Sequence, residues 1–199
     1  MAFYENTIVT KQDLTDKELK NIKSKYEQLV NDTSGKVVKI EEWGLLNLAT
    51  KIRNYKKAFY IHYKFEGSAN TLKEVEKKIK LDDSIIRHLT VKYKKLDTEN
   101  EFFKEKGDLW KEKTRNFKKK GSNSLNRLSL FQKNDGRFSK NCPLSIKNAP
   151  IIDYKNIPLL KKYISDNGKI ISSKITSVSF SKQKKLTKEI KKAKTLGLI

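Results

Sequence analysis

The run AFYIHYKF, residues 58–65, alternates without a break. Phe59, Ile61, Tyr63 and Phe65 fall on one side of an extended chain and Tyr60, His62 and Lys64 on the other, because successive side chains of a strand point to opposite faces. A stretch with that period and that aromatic content belongs in a sheet, with its apolar side against a second layer. The flanking sequence supplies both. Residues 2–10 read as a strand on Tyr4, Ile8 and Val9. KVVKIEEWGLLNLA (36–49) reads as another, bent at Gly44, and SIIRHLTVKYKKL (84–96) as a last one.

Two helices fit between them. Thr15 and Glu18 have the spacing of a capping box, with Leu14 and Leu19 at the staple positions. Leu19, Ile22, Tyr26 and Leu29 then recur every three or four residues, and Gly35 closes the segment. Leu72, Val75 and Ile79 mark the second helix, after the break at Gly67 and Ser68. RNYKK (53–57) is a basic turn. The order βαββαβ over residues 1–96 predicts an α+β fold, a ferredoxin-like sandwich on an antiparallel sheet.

Charge divides the remainder. Residues 1–96 carry 20 Lys and Arg against 13 Asp and Glu, whereas residues 136–199 carry 15 against 3. A total of +22 on 199 residues implies a polyanionic partner, nucleic acid or an acidic membrane surface. Residues 97–135 show no usable period, with Phe and Trp scattered among charges, and read as a linker disordered on its own. From 136 a small, mostly helical basic domain is expected. Asn156 caps a helix with Pro158 in its first turn and Leu160, Tyr163 and Ile164 inward, ending at Asp166-Asn167-Gly168. Lys169 to Thr176 reads as a short extended piece.

The last helix is expected over about 180–195, capped by Ser179 and ended by Gly197. Val178, Leu186, Ile190 and Ala193 make a thin apolar stripe, and seven lysines between 182 and 194 cover most of the rest. Like-charge neighbours four residues apart each cost a few tenths of a kcal/mol. A helix this self-repelling calls for a partner that neutralises it.

Catalytic chemistry is sparse. His62 and His88 are the two histidines, and mid-strand His62 reads as packing. No Walker loop, Gly-rich dinucleotide turn or H-E-x-x-H occurs. Glu41 and Glu42 are adjacent on a strand and so cannot enter one site together. Cys142 is the only cysteine, which excludes an internal disulfide and, with no C-x-x-C partner, a zinc site founded on it. It reads as a small buried group or a free thiol in a loop. No enzyme, metal or cofactor is expected. No apolar run approaches a membrane span, and MAFYENTIVT lacks the features of a signal peptide. The single cysteine leads us to expect an intracellular site. KKAFYIHYKF has the aromatic alternation of an RNA recognition motif without its glycine.

MAFYENTIVT, EEWGLLNLATKIRNYKKAFYIHYKF and SIIRHLTVKY together resemble the sixth protein family of the bacterial small ribosomal subunit. That family has a Y-E strand, a W-G-x-R-x-L-A-Y-x-I-K segment, a basic loop and an aromatic strand. Trp43, Gly44, Leu48, Ala49, Ile52, Tyr55, Lys57 and Tyr60 hold matching places, and Thr50 stands where an aromatic is usual. Residues 137–199 resemble the eighteenth protein family of the same subunit, through C-P-L, I-D-Y-K, the S-x-x-G-K-I turn, K-I-T, and Q-K-K-L-x-x-E-I-K-K-A-K-x-L-G-L. The resemblance implies a fusion of two proteins that are normally separate chains, pair as a heterodimer and bind the central domain, at the platform, of small-subunit ribosomal RNA. Met1 is the only methionine, so no internal start codon separates the halves.

These readings together predict a structural constituent of the small subunit, in the cytoplasm or an organelle matrix, with ribosomal RNA and neighbouring small-subunit proteins as partners and its halves paired within the chain. The alternative is a free-standing basic nucleic-acid binder. Expected RNA contacts are Arg137, Lys140, Lys155, Lys161, Lys162, Lys169, Lys174, Lys182, Lys184, Lys185, Lys188, Lys191 and Lys192. Fewer are expected from the first half, at Lys51, Arg53, Lys56, Lys57 and Arg87.

Overall fold

The computed structural model describes residues 2–97, 102–103, 142–146 and 149–199. The described residues divide into two compact units, the first built on residues 2–97 and 102–103 together with Leu196–Leu198, the second on the other described residues.

The first unit contains β1 (Ala2–Thr10), α1 (Asp16–Asp32), β2 (Lys36–Ile52), β3 (Tyr55–Gly67), α2 (Ala69–Leu81) and β4 (Ile85–Tyr93). The sheet order is β2-β3-β1-β4, every pairing antiparallel. This is the ferredoxin-like arrangement that the βαββαβ order predicts. Tyr4 lies opposite Phe65 in the register, and their rings stack at 5.5 Å. With Ile8, Ile61 and Tyr63 they form the sheet side of a core closed by Ile22, Tyr26 and Val30 of α1 and Val75 and Ile79 of α2. Val30, not Leu29, completes the buried stripe of α1.

Local chemistry sets the element ends. The Thr15–Glu18 capping box is formed: Glu18 Oε2 accepts from the Thr15 amide at 2.8 Å. β2 bulges where Gly44 takes φ +75 and the register slips between Glu42 and Gly44. The turn between β2 and β3 is tighter than the expected 53–57. Ile52 pairs with Tyr55, leaving Arg53 and Asn54 alone at φ 47 and 69, the left-handed pair a two-residue hairpin requires.

Asp82 closes α2 and ties it to α1. Its carboxylate accepts from Lys25 Nζ at 2.7 Å, Tyr26 Oη at 3.1 Å and the Ser84 amide at 3.1 Å. Burial alone would raise its pKa, but the hydrogen bonds from Lys25 and Ser84 outweigh it and hold the carboxyl below its ordinary value. A group depressed in the folded state stabilises fully above its unfolded value near ~3.9 and loses that contribution as pH falls through the folded value. Asp82→Asn is therefore expected to lower the unfolding temperature at pH 7 but to match the parent more closely at pH 3. An equal deficit at both pH values would assign the effect to shape instead of charge.

The opposite sheet face is also closed. Val9, Tyr60, His62 and Lys64 are all at most 1% exposed. His62, read from sequence as a sheet-surface residue, is fully buried: Thr7 Oγ1 lies 2.8 Å from its Nδ1, and its ring stacks on Trp43 at 5.0 Å. Trp43 also stacks on Tyr60 at 6.1 Å and on Phe103 at 4.2 Å. The face is thus no open platform for bases. The remainder of the expected linker, residues 98–101 and 104–135, lies outside the described residues.

The second unit contains α3 (Ile157–Lys162), α4 (Ser173–Thr176) and α5 (Phe180–Thr195). Asn156 caps α3 by accepting from the Leu159 amide at 3.4 Å. α3 stops at Lys162, before the expected Asp166-Asn167-Gly168, because Tyr163 and Ile164 open a return loop. The Ile171 amide donates to Tyr163 O at 2.9 Å, the Ser165 amide to Lys169 O at 2.8 Å, and Ile164 bridges Ile170. Gly168 at φ +74 makes that turn. The expected extended piece over 169–176 is correct only for its start, since Ser173–Thr176 coil into one helical turn. Tyr154, Leu159, Leu160, Ile171, Val178, Leu186, Ile190 and Ala193 are buried.

Candidate nucleic-acid interface

α5 answers how a lysine-rich segment folds. Its bounds match the expectation, and Leu186, Ile190 and Ala193 have no exposed surface. At about 100° per residue, Lys184, Lys185, Lys188, Lys191 and Lys192 fall within a single arc of roughly 120° on the other side. Lys184, Lys185, Lys188 and Lys191 are exposed, while Lys182 and Lys192 are half-buried. None of Lys182, Lys184, Lys185, Lys188 and Lys191 has a carboxylate within 4 Å among the described residues. Lys194 donates to Gly168 O at 2.5 Å, tying the helix to the turn below it.

On this face Glu189 neutralises Lys192 alone. Glu189 is buried at the edge of the apolar stripe, where Oε2 accepts from the Tyr154 amide at 3.2 Å and Oε1 from Lys192 at 2.7 Å. On the helical wheel Glu189 falls midway between Lys185 and Ala193, so its inward turn is set by the Tyr154 amide across from it and not by its place in the period.

The other cations follow the loops. Lys161 and Lys162 are exposed at the end of α3, Lys169 on the return loop and Lys174 on α4. Lys155 is a correction: it is 4% exposed, 3.5 Å from Asp153 and over the Tyr154 ring at 5.6 Å. Its charge is spent inside the unit, so it leaves the set of surface contacts. Arg137 and Lys140 lie outside the described residues.

In the first unit, Lys51, Arg53, Lys56 and Lys57 are exposed around the β2–β3 turn, and Arg87 is exposed on β4. Arg87 sits in one row with Val9 and Tyr60. Burial raises the Tyr60 phenol well above its ordinary pKa, and the Arg87 charge opposes this in part. Tyr60 Oη donates to Leu196 O at 2.6 Å, and the Ala49 amide donates to Gly197 O at 2.8 Å. Gly197 takes φ +70, and a β-carbon there would stand 3.1 Å from Leu48 and Ile52. Leu196 and Leu198 are buried. Sequence reading saw in Gly197 only the end of a helix.

Chemistry for catalysis does not assemble. Among the described residues no three His, Cys, Asp or Glu gather as a metal site would need. Cys142 Sγ accepts from the Ser179 amide at 3.2 Å. Burial raises its pKa, but hydrogen bonds from Ser145 and Ser179 prevail and bring the thiol down to about 7. Glu41 and Glu42 diverge as expected, Glu41 to buried Lys64 and Glu42 to Lys23 at the surface. Among the described residues no helix is long and apolar enough to cross a membrane.

Comparison with known proteins gives this arrangement its context. Residues 3–92 match the family model of ribosomal protein S6, and residues 148–199 that of ribosomal protein S18. Small ribosomal subunit protein bS18 of Pelagibacter ubique (strain HTCC1062) is 59% identical over 83 residues, which are 41% of this chain and 90% of that protein. Small ribosomal subunit protein bS6 of the same organism is 39% identical over 111 residues, 56% of this chain and 92% of that protein. The chain belongs to both families, fused. The S6 part covers the sheet unit, and the S18 part runs through α3, α4 and α5 into Leu196–Leu198. The crystal structure of 30S ribosomal protein S6 from Thermotoga maritima aligns with 58% of the chain and 97% of its own length, at 20% identity and a TM-score of 0.45. Membership in these families makes the chain a structural component of the small ribosomal subunit and not an enzyme.

Proposed function

We propose that the chain binds the platform, the central domain, of small-subunit ribosomal RNA, with its S6 and S18 parts pairing inside one polypeptide as two separate chains do elsewhere. The observation that carries the RNA contact is the face of α5, where lysines stand exposed without carboxylate partners while Glu189 is turned away from them. Lysine is a compact charge on a flexible stem, suited to phosphate contact without reading bases. Recognition then rests on phosphate neutralisation and the shape of folded RNA. Lys161, Lys162, Lys169 and Lys174 extend the cationic surface of the S18 part, with a smaller share from Lys51, Arg53, Lys56, Lys57 and Arg87. Pairing is supported by Leu196–Leu198, the end of the S18 match, which belong to the sheet unit through the hydrogen bonds to Ala49 and Tyr60.

A tether raises the effective concentration of each part near the other into the millimolar range for short flexible linkers. Cutting the chain at a protease site inserted between residues 104 and 141 is therefore expected to leave RNA binding possible but dependent on protein concentration. Residues 1–96 alone should bind far more weakly than the intact chain. Equal affinity would reverse the division of labour. Washed small subunits should contain one polypeptide carrying both parts, seen by sedimentation and intact mass. Its absence from them would leave a free-standing nucleic-acid binder.

A further inference from the structure

Phe180 is 84% exposed, more than any other large apolar side chain among the described residues. The backbone that carries it is fixed. Thr176 and Val178 on its N-terminal side are buried, with Ser177 between them at φ 56. The Ser179 amide donates to Cys142 Sγ at 3.2 Å, and Ser179 O accepts from the Gln183 amide at 2.8 Å. Gln183 Nε2 donates in turn to Ile171 O at 3.0 Å. The backbone that carries the ring is thus tied into the unit while the ring itself stands in water, so a partner need not order the backbone beneath it.

The ring also has a defined place on the cationic helix. Residues four apart on a helix are surface neighbours, so Phe180 begins the row that continues through Lys184, Lys188 and Lys191. These three lysines are exposed and have no carboxylate within 4 Å among the described residues. A cationic track that ends in an exposed aromatic is the arrangement by which proteins hold unpaired RNA, ammonium groups on the phosphates and the ring under a base. An apolar protein surface would instead want apolar neighbours on that row, and its neighbours are lysines.

We propose that Phe180 stacks on an unpaired base of RNA whose backbone runs along Lys184, Lys188 and Lys191. This rests on the RNA-binding reading above. The ring adds affinity that salt does not screen, and it favours a bulge or loop over a continuous duplex, in which every base face is already stacked.

The test uses the full chain and a transcript of the central domain of small-subunit ribosomal RNA, with affinities measured over a salt series. Phe180→Ala and Phe180→Leu are expected to weaken binding about 5- to 100-fold, and Phe180→Trp to retain it. The salt slope should be the same in all four proteins, because no phosphate contact is removed. Unfolding temperatures should also agree, since the side chain is exposed. Parent-like affinity for Phe180→Ala or Phe180→Leu, with the parent binding normally, overturns the stacking alone. A Phe180→Ala chain that binds the transcript like the parent but no longer sediments with small subunits assigns the ring to a protein contact and overturns it too. A parent that fails to bind the transcript overturns the RNA reading and this inference together.

Discussion

Replacing Lys184, Lys185 and Lys188 together with glutamine is expected to lower both RNA affinity and its dependence on salt. Each phosphate contact contributes roughly 0.7–0.9 to the slope of log K against log salt, so the loss of three should flatten it by about 2–3. At 0.15 M salt that corresponds to weakening on the order of a hundredfold. The helix should survive, because glutamine is a comparable helix former and all three positions are exposed. Removing like charges four apart also relieves a few tenths of a kcal/mol of repulsion. Far-ultraviolet circular dichroism and a salt series on parent and variant check both halves of the claim. An unchanged slope would leave these lysines merely solvated. Lys155→Gln is the control. Its ammonium is buried against Asp153, so the slope should stay put while stability falls.

That control marks where sequence reading stops. The sheet unit was legible because its signals are local and periodic: the alternation of residues 58–65, the Thr15–Glu18 box and the stripe of Ile22 and Tyr26 decide the elements and their order. The same holds for α5, whose apolar stripe fixes which lysines point outward. Individual charges were less legible, because a lysine's exposure depends on what lies across from it in space. Lys155 and Lys162 look alike in sequence, yet one faces Asp153 in the interior and the other is exposed. His62 and Lys64 were placed on the correct face, but nothing local says that this face is buried as fully as the core. Nor does a period announce Leu196–Leu198 as part of the sheet unit, since their hydrogen bonds reach residues more than a hundred positions away. α3 ran short for a comparable reason: the backbone of Tyr163 bonds across the return loop to Ile171.

The second large effect is expected at the ion pair on that buried face. Lys64 Nζ lies 2.8 Å from Glu41 Oε1, with the lysine side chain fully buried and the glutamate 7% exposed. Two further groups hold the glutamate, Trp43 Nε1 at 3.4 Å from Oε2 and Lys39 at 3.7 Å, and Lys64 also donates to Asp97 O at 2.5 Å. Desolvating both charges is costly, and their attraction offsets the cost only while both are present. Glu41→Leu strands the Lys64 ammonium, and Lys64→Met leaves the buried carboxylate with only Trp43 Nε1 and the more distant Lys39. Each is expected to destabilise by about 3–5 kcal/mol, the range for breaking one side of a buried pair. Against a total stability of about 5–15 kcal/mol, either loss is severe. The double variant Glu41→Leu with Lys64→Met leaves no charge stranded and should regain most of it, since apolar replacements of buried pairs are often neutral. Denaturant unfolding of the four proteins closes the cycle. Single losses below ~1 kcal/mol would put the pair at the value of a surface bridge. Losses that simply added in the double variant would mean the two side chains do not act as a unit. Because Trp43 sits between this pair and the stack with Tyr60, His62 and Phe103, the single variants should also shift tryptophan emission, which a purely surface role would leave alone.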